Sequence, residues 1–173
     1  MLFGKKSKNY DEGREMGKIE AILEKVQPMN IKVKKVLEKA ILPIQGSDGA
    51  AGFDLVAATE KFKPELTGPI WEYDTGLAFE IPPGYVGLVF PRSSITTKTT
   101  LMLGNGVGVI DSDYRGTIKF QYRNVNLAAG KKYNVGDRIG QIIIMPVPSV
   151  NFEEANELNE TSRGQGGFGS TGQ

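Results

Sequence analysis

The chain predicts an all-β fold, a barrel or double-sheet body of the jelly-roll kind, and three observations carry that expectation. Short β-branched or aromatic runs recur through it: Ile31-Lys32-Val33, then 53–57, 77–81, 85–90 and 139–147. Clusters of turn residues separate them, such as Gly46-Ser47-Asp48-Gly49, Pro82-Pro83-Gly84 and Asn134-Val135-Gly136-Asp137, the punctuation that ends strands. The 22 glycines and 9 prolines among 173 residues favour many short strands joined by turns. This length supports one domain with a full core.

Taken in order, residues 11–26 carry the one clear helical period. Met16, Ile19, Ile22, Leu23 and Val26 fall on one stripe, with Lys18, Glu20, Glu24 and Lys25 off it, which predicts an amphipathic helix. Asp11 and Glu12 suit its positive end, Lys25 its last turn, and Pro28 stops it. Such a helix packs on its own body, or binds an oligomer neighbour or a protein partner. Residues 1–29 therefore read as an N-terminal extension, 30–158 as the β body and 159–173 as a C-terminal arm. Around 108–116, Val107, Val109 and Ile110 lead in, while Ile118, Phe120 and Tyr122 alternate with Thr117, Lys119 and Gln121 going out. That pattern predicts a β-hairpin. Its tip would hold Asp111, Asp113 and Tyr114 beside open backbone groups, as a pocket needs where a base is read and a water is activated. The arm has five glycines in residues 163–172 and cannot fold by itself, so it is expected to be mobile without a ligand. Its glycine amides, Ser170, Thr171 and Arg163 are what an anion clamp needs, and Phe168 offers a flat face for a base.

Composition excludes much chemistry. With no cysteine there is no disulfide, thiolate zinc site or thiol nucleophile. With no histidine there is no imidazole base or Ser-His-Asp triad, so acid–base work falls to carboxylates, Lys or Tyr. A net charge of +1 gives no bulk drive toward nucleic acid. No apolar run reaches the roughly 20 residues of a membrane helix, and the start lacks the apolar stretch of a secretory signal. These features are read as placing the protein in the cytoplasm, or a host's cytoplasm for a viral source.

Four more segments carry polar groups that a plain β body has little use for. Asp54 sits inside the apolar run 53–57, and Pro91-Arg92-Ser93-Ser94 follows the apolar run 85–90. Gly104-Asn105-Gly106 precedes the expected hairpin, and Gly136-Asp137-Arg138-Ile139-Gly140-Gln141 opens another strand. With the glycine-rich arm, these make five motifs in order, at 51–57, 91–94, 105–116, 136–141 and 163–172. The set resembles the trimeric all-β dUTPase family, over roughly 31–173.

The resemblance implies a distorted jelly-roll β-barrel with an extra N-terminal helix and a flexible C-terminal arm. It also implies hydrolysis of dUTP to dUMP and pyrophosphate. Asp111 matches the family's general base, which activates the water attacking the α-phosphorus. Tyr114 matches the ring that stacks under the deoxyribose, and Asn105, Val109, Ile110 and Lys119 surround the uracil. Arg92, Ser93, Ser94 and Gln141 match phosphate ligands. Arg163, Phe168, Gly169, Ser170 and Thr171 match the closing arm. Mg²⁺ is implied as a cofactor held by the phosphates, with Asp54 acting through its waters only. A homotrimer with shared sites is implied as well. Thr100, Thr117, Gly140 and Gln165 depart from the common family pattern without touching a catalytic atom. A sister branch deaminates dCTP with a glutamate and an arginine near the second motif, and Ser93-Ser94-Ile95-Thr96-Thr97-Lys98 has neither. Some family members bind unrelated proteins under nucleotide control, which makes a regulatory module the other reading.

Overall fold

A computed structural model describes residues 28–66, 68–125 and 130–167. The helix expected over 11–26, with the partner surface expected on it, lies outside them, as do Phe168, Gly169, Ser170 and Thr171. Ten strands form among the described residues: β1 (Lys32–Lys35), β2 (Ile44–Gln45), β3 (Phe53–Val56), β4 (Thr59–Lys63), β5 (Ile70–Glu80), β6 (Tyr85–Phe90), β7 (Leu101–Leu103), β8 (Gly108–Ile110), β9 (Thr117–Asn124) and β10 (Arg138–Pro146). A single-turn helix, α1 (Ile95–Lys98), follows β6. Among the described residues no helix is long and apolar enough to cross a membrane.

All pairings are antiparallel. One sheet runs β1-β5-β9-β7, with β4 also on β5, and the other runs β2-β3-β10-β6-β8. No strand of one sheet pairs with the other among the described residues. The body is therefore a sandwich of two open sheets, and the expected barrel closure is not present. Each strand turns its alternate apolar residues inward. Ile118, Phe120 and Tyr122 of β9 and Tyr73 and Leu77 of β5 face Leu55, Ile139 and Ile142 of the opposite sheet, all fully buried or nearly so. Burying each such side chain contributes about 1.5–3 kcal/mol.

The expected hairpin across 108–116 is corrected. β8 pairs with β6, Val109 lying opposite Leu88, whereas β9 pairs with β5 and β7. Residues 111–116 are thus a link from one sheet to the other. Alternation identifies which face a residue takes, and it took the correct one for Ile118, Phe120 and Tyr122. It carries no information on the neighbouring strand.

β5 is longer than the expected 77–81 run because it continues back through a bulge at Gly76. Two extra residues intervene between the pairs Asp74↔Lys119 and Ala78↔Thr117. Gly76 has φ +67°, a left-handed conformation that costs little only without a Cβ. Its amide donates to Asp74 Oδ1 at 2.7 Å, and the Thr75 hydroxyl donates to the Ile118 carbonyl oxygen at 2.9 Å. On its outer edge β5 then passes from pairing with β4 to pairing with β1.

Three tyrosines meet in the core. Tyr73, Tyr122 and Tyr133 lie with ring centroids 5.7–6.0 Å apart. The Tyr73 hydroxyl donates to the Tyr133 carbonyl oxygen at 3.0 Å, and the Tyr122 hydroxyl donates across the sandwich to the Ile139 carbonyl oxygen at 2.5 Å. Burial pushes the phenols of Tyr73 and Tyr122 well above the usual range, and neighbouring negative or ionisable groups add to it. The unfolded chain ionises these groups near about pH 10. Their stabilisation is therefore complete below that pH and is lost as pH rises further, because the unfolded state gives up the protons first. Melting temperature is expected to fall above about pH 10, less steeply for Tyr122→Phe, in a thermal unfolding series across alkaline pH.

Candidate active site

The link after β8 builds one polar pocket. β8 is an edge strand, with β6 on one side and, among the described residues, no strand pairing its other row of backbone groups. A cavity of about 220 Å³ lies there, lined by Val109, Ile110, Asp111, Tyr114, Thr117, Ile118 and Lys119. The link is held by its own turn, since Tyr114 N–H donates to Asp111 O at 3.1 Å and Arg115 Nη1 donates to Ser112 O at 2.7 Å. The Tyr114 hydroxyl donates back to Thr117 O at 3.2 Å, which folds its ring over Gly116, where a Cβ would collide with it. Asp111 and Tyr114 stand exposed. Asn105 lines an adjoining cavity of about 320 Å³ with Lys119, Gln121 and Arg123, so Lys119 borders both. Lys119 Nζ lies 3.6 Å from Asp74 Oδ2.

A second cluster forms where β3, β10 and β6 run side by side. Gln141 is opposite Asp54 on one flank and Phe90 on the other, and Pro91 and Arg92 follow directly. The Asp54 carboxylate is gripped by two guanidinium groups, Arg92 Nε at 3.2 Å from Oδ1 and Arg138 Nη1 at 3.1 Å from Oδ2. Only 15% of the Asp54 side chain is exposed, and a carboxylate so far removed from water needs such partners. Gln141 Nε2 donates to Pro91 O at 3.3 Å. One acid between two fixed cations leaves the cluster with surplus positive charge, which suits an anionic ligand.

Beside it, the Tyr133 hydroxyl is buried without a hydrogen-bond partner, the one such side-chain atom among the described residues. Burial raises its pKa, partly offset by the nearby Arg92 cation.

Of the expected site residues, Val109, Ile110, Asp111, Tyr114 and Lys119 share the first pocket, and Asp54, Arg92 and Gln141 share the second cluster. Ser93 is exposed and Ser94 half-buried at the start of α1, where the Ser94 carbonyl oxygen accepts from Lys98 N–H at 2.9 Å. Arg163 lies exposed in a turn of the arm, its Nε donating to Gly166 O at 2.9 Å, in contact with neither group.

The two groups sit at opposite ends of β6. Ile110 is level with Gly87, so Asp111 comes level with Val86, while Arg92 lies beyond Phe90. From Val86 to Phe90 the strand runs about 14 Å at about 3.4 Å per residue. No single side chain bridges that span.

Arg138 was not among the expected site residues, and β10 explains why. Its pairing with β3 shifts between Arg138 and Gly140, a bulge that leaves Ile139 as the extra residue. Strict alternation would turn Arg138 inward with Gly140 and Ile142. The bulge turns it outward beside Asp54 and sends Ile139 into the core with no exposure. Gly140 permits this, since a Cβ there would run into the Phe120 ring. The Tyr122 hydroxyl holds the Ile139 carbonyl oxygen.

The family model described as dUTPase matches residues 38–172. The chain is 43% identical over 144 residues to the deoxyuridine 5'-triphosphate nucleotidohydrolase of Escherichia phage T5, covering 80% of this chain and 96% of that one. It is 42% identical over 154 residues to the mitochondrial protein of that name from Dictyostelium discoideum, covering 86% and 82%. The structure is similar to the dUTPase of Staphylococcus bacteriophage 80alpha with dUPNHPP, at TM-score 0.69 and 26% identity, covering 83% and 99%. It is also similar to a mutant dUTPase from phage phi11 of S. aureus described with a structural Mg(II) ion, at TM-score 0.64 and 25% identity, covering 76% and 100%.

Removing the hydroxyl in Tyr122→Phe leaves the buried Ile139 carbonyl oxygen without that donor. The substitution is expected to cost about 1–3 kcal/mol, read as a shifted midpoint in urea unfolding.

Proposed function

The chain belongs to the dUTPase family, and on that premise we propose how it hydrolyses dUTP to dUMP and pyrophosphate. The observation that carries the reading is the open edge of β8, with Asp111 and Tyr114 closing one end of its pocket. Uracil presents a row of donors and acceptors, which the free backbone groups around Val109 and Ile110, with those of Asn105 and Lys119, are suited to meet. A site built on hydrogen bonds rejects a mismatched base better than an apolar slot does. The Tyr114 ring lies under the deoxyribose and leaves no room for a 2′-hydroxyl.

Asp111 accepts the proton of a water whose oxygen attacks the α-phosphorus. A new P–O bond forms there as the bond to the α/β-bridging oxygen breaks, and that electron pair leaves with pyrophosphate. Arg92, Ser93, Ser94 and Gln141 bind the phosphates, the guanidinium offering its fork to two oxygens. Asp111 stands exposed in one chain, so the shielding that makes a carboxylate an adequate base comes from the bound nucleotide, a neighbouring subunit and the arm. Arg163, with Phe168, Gly169, Ser170 and Thr171, closes over the γ-phosphate and the base and excludes water.

Mg²⁺ fits the donors present only indirectly. Asp54 brings a single carboxylate already shared by two arginines, and no cluster of three metal-binding side chains occurs among the described residues. Asp54 would meet such an ion only through bound water, with the triphosphate as its main ligand, and the ion would supply charge neutralisation on the phosphate oxygens.

The separation of Asp111 and Arg92 along β6 supports a site assembled from more than one chain, in a homotrimer with three shared sites. Each Asp111 pocket is completed by the Arg92 cluster of a neighbour.

Asp111→Asn is expected to lower kcat by at least about a thousandfold while dUPNHPP affinity changes by less than about fivefold, since the base acts in the transition state. Stopped kinetics and titration calorimetry read both, and a near-normal rate removes Asp111 from the role. Mixing inactive Asp111→Asn chains with inactive Arg92→Ala chains, after joint refolding, is expected to restore about a quarter of the sites, those drawing both wild-type residues from different subunits. Mixtures as inactive as the separate variants place both residues in one chain's site.

A further inference from the structure

We propose that Arg138 is a positioning residue for Arg92, acting through Asp54, and that the bulge at Ile139 brings it there. The inference rests on the reading of Arg92 as a phosphate ligand.

A guanidinium has five N–H donors, and a carboxylate with both oxygens free takes two of them side by side. Left alone with Arg92, Asp54 would draw it into such a fork and turn half of its phosphate-binding face away from the ligand. In the structure Arg138 Nη1 holds Oδ2, and Arg92 meets Oδ1 through Nε, at 3.1 and 3.2 Å. Arg92 thus approaches the carboxylate as an ion pair through its inner nitrogen, and its terminal nitrogens stay available for two phosphate oxygens. Arg138 also compensates the charge of Asp54, so Arg92 need not be neutralised by it.

Nothing in the core needs Arg138, whose side chain is 45% exposed. Its placement nevertheless depends on three features. The register shift in β10 turns it outward, Gly140 leaves space for the Phe120 ring, and Tyr122 holds the Ile139 carbonyl oxygen. A solvated surface arginine would need none of them.

The test measures dUPNHPP affinity by calorimetry, with kcat, KM and melting temperature, for Arg138→Gln, Arg138→Lys, Asp54→Asn, Arg92→Gln and the Asp54→Asn/Arg138→Gln pair. Arg138→Gln is expected to weaken the nucleotide and raise KM by roughly tenfold, as a misplaced ligand group does. Its kcat should change by less than about threefold and its melting temperature stay unchanged. Arg138→Lys, which keeps a cation on Oδ2, should recover most of the affinity. In the Asp54→Asn background, Arg138→Gln should add no further loss, because its effect passes through that carboxylate.

Wild-type affinity in Arg138→Gln overturns the proposal. So does a full additional loss in the double variant, which would mean that Arg138 touches the nucleotide itself. Arg92→Gln separates the underlying reading: if it binds dUPNHPP normally, Arg92 is no phosphate ligand. If it binds weakly while Arg138→Gln binds normally, only the positioning role fails.

Discussion

The hydrogen bond from the Tyr122 hydroxyl to the Ile139 carbonyl oxygen joins the two halves of the molecule at its most consequential point. The two sheets share no backbone ladder among the described residues, so their alignment rests on apolar packing, which is non-directional, and on a few directed contacts through the core. This one fixes β9 against the single irregular step of β10. A buried hydroxyl and a buried carbonyl that satisfy each other hold a definite arrangement, because losing either partner strands the other away from water. Arg138, Asp54, Gln141 and Arg92 are all arranged outward from that step.

The chemistry divides along β6. Its β8-facing edge, near the start of the strand, supports a shallow pocket with open backbone groups, one carboxylate and one ring. Past its far end lies a cationic cluster. Each half has the composition for one part of a nucleotide: the first for a flat, hydrogen-bonding base and sugar, the second for a polyanion. Separating them keeps Asp111 from pairing with Arg92 within the chain, an ion pair that would occupy both groups.

Much of this was legible in the sequence, for identifiable reasons. Strands with regular alternation, such as Ile118-Lys119-Phe120-Gln121-Tyr122, declare both their type and their buried face. Asp54 stood out as an acid in an apolar run, and it is the pivot of the cluster. What alternation cannot convey is pairing, so β8 and β9 read as one hairpin although they belong to different sheets. The second blind spot is irregularity. The expected run 77–81 stops short of Gly76, a bulge within β5, and Arg138, though inside the 136–141 motif, was not assigned to the site because its outward direction depends on a step visible only once β10 is laid against β3. The barrel expectation failed for a related reason, since closure is a matter of edge pairing and leaves no mark on hydrophobic period.

The register Asp54–Gln141–Phe90 has a consequence for folding. Three strands must align to the residue before the cluster exists, because a slip of one position in β10 would exchange its outer and inner faces. A ligand that requires both Arg92 and Gln141 therefore recognises only correctly aligned chains and adds its binding free energy to that state alone. Such a ligand would favour the correctly aligned form over compact competitors of similar burial.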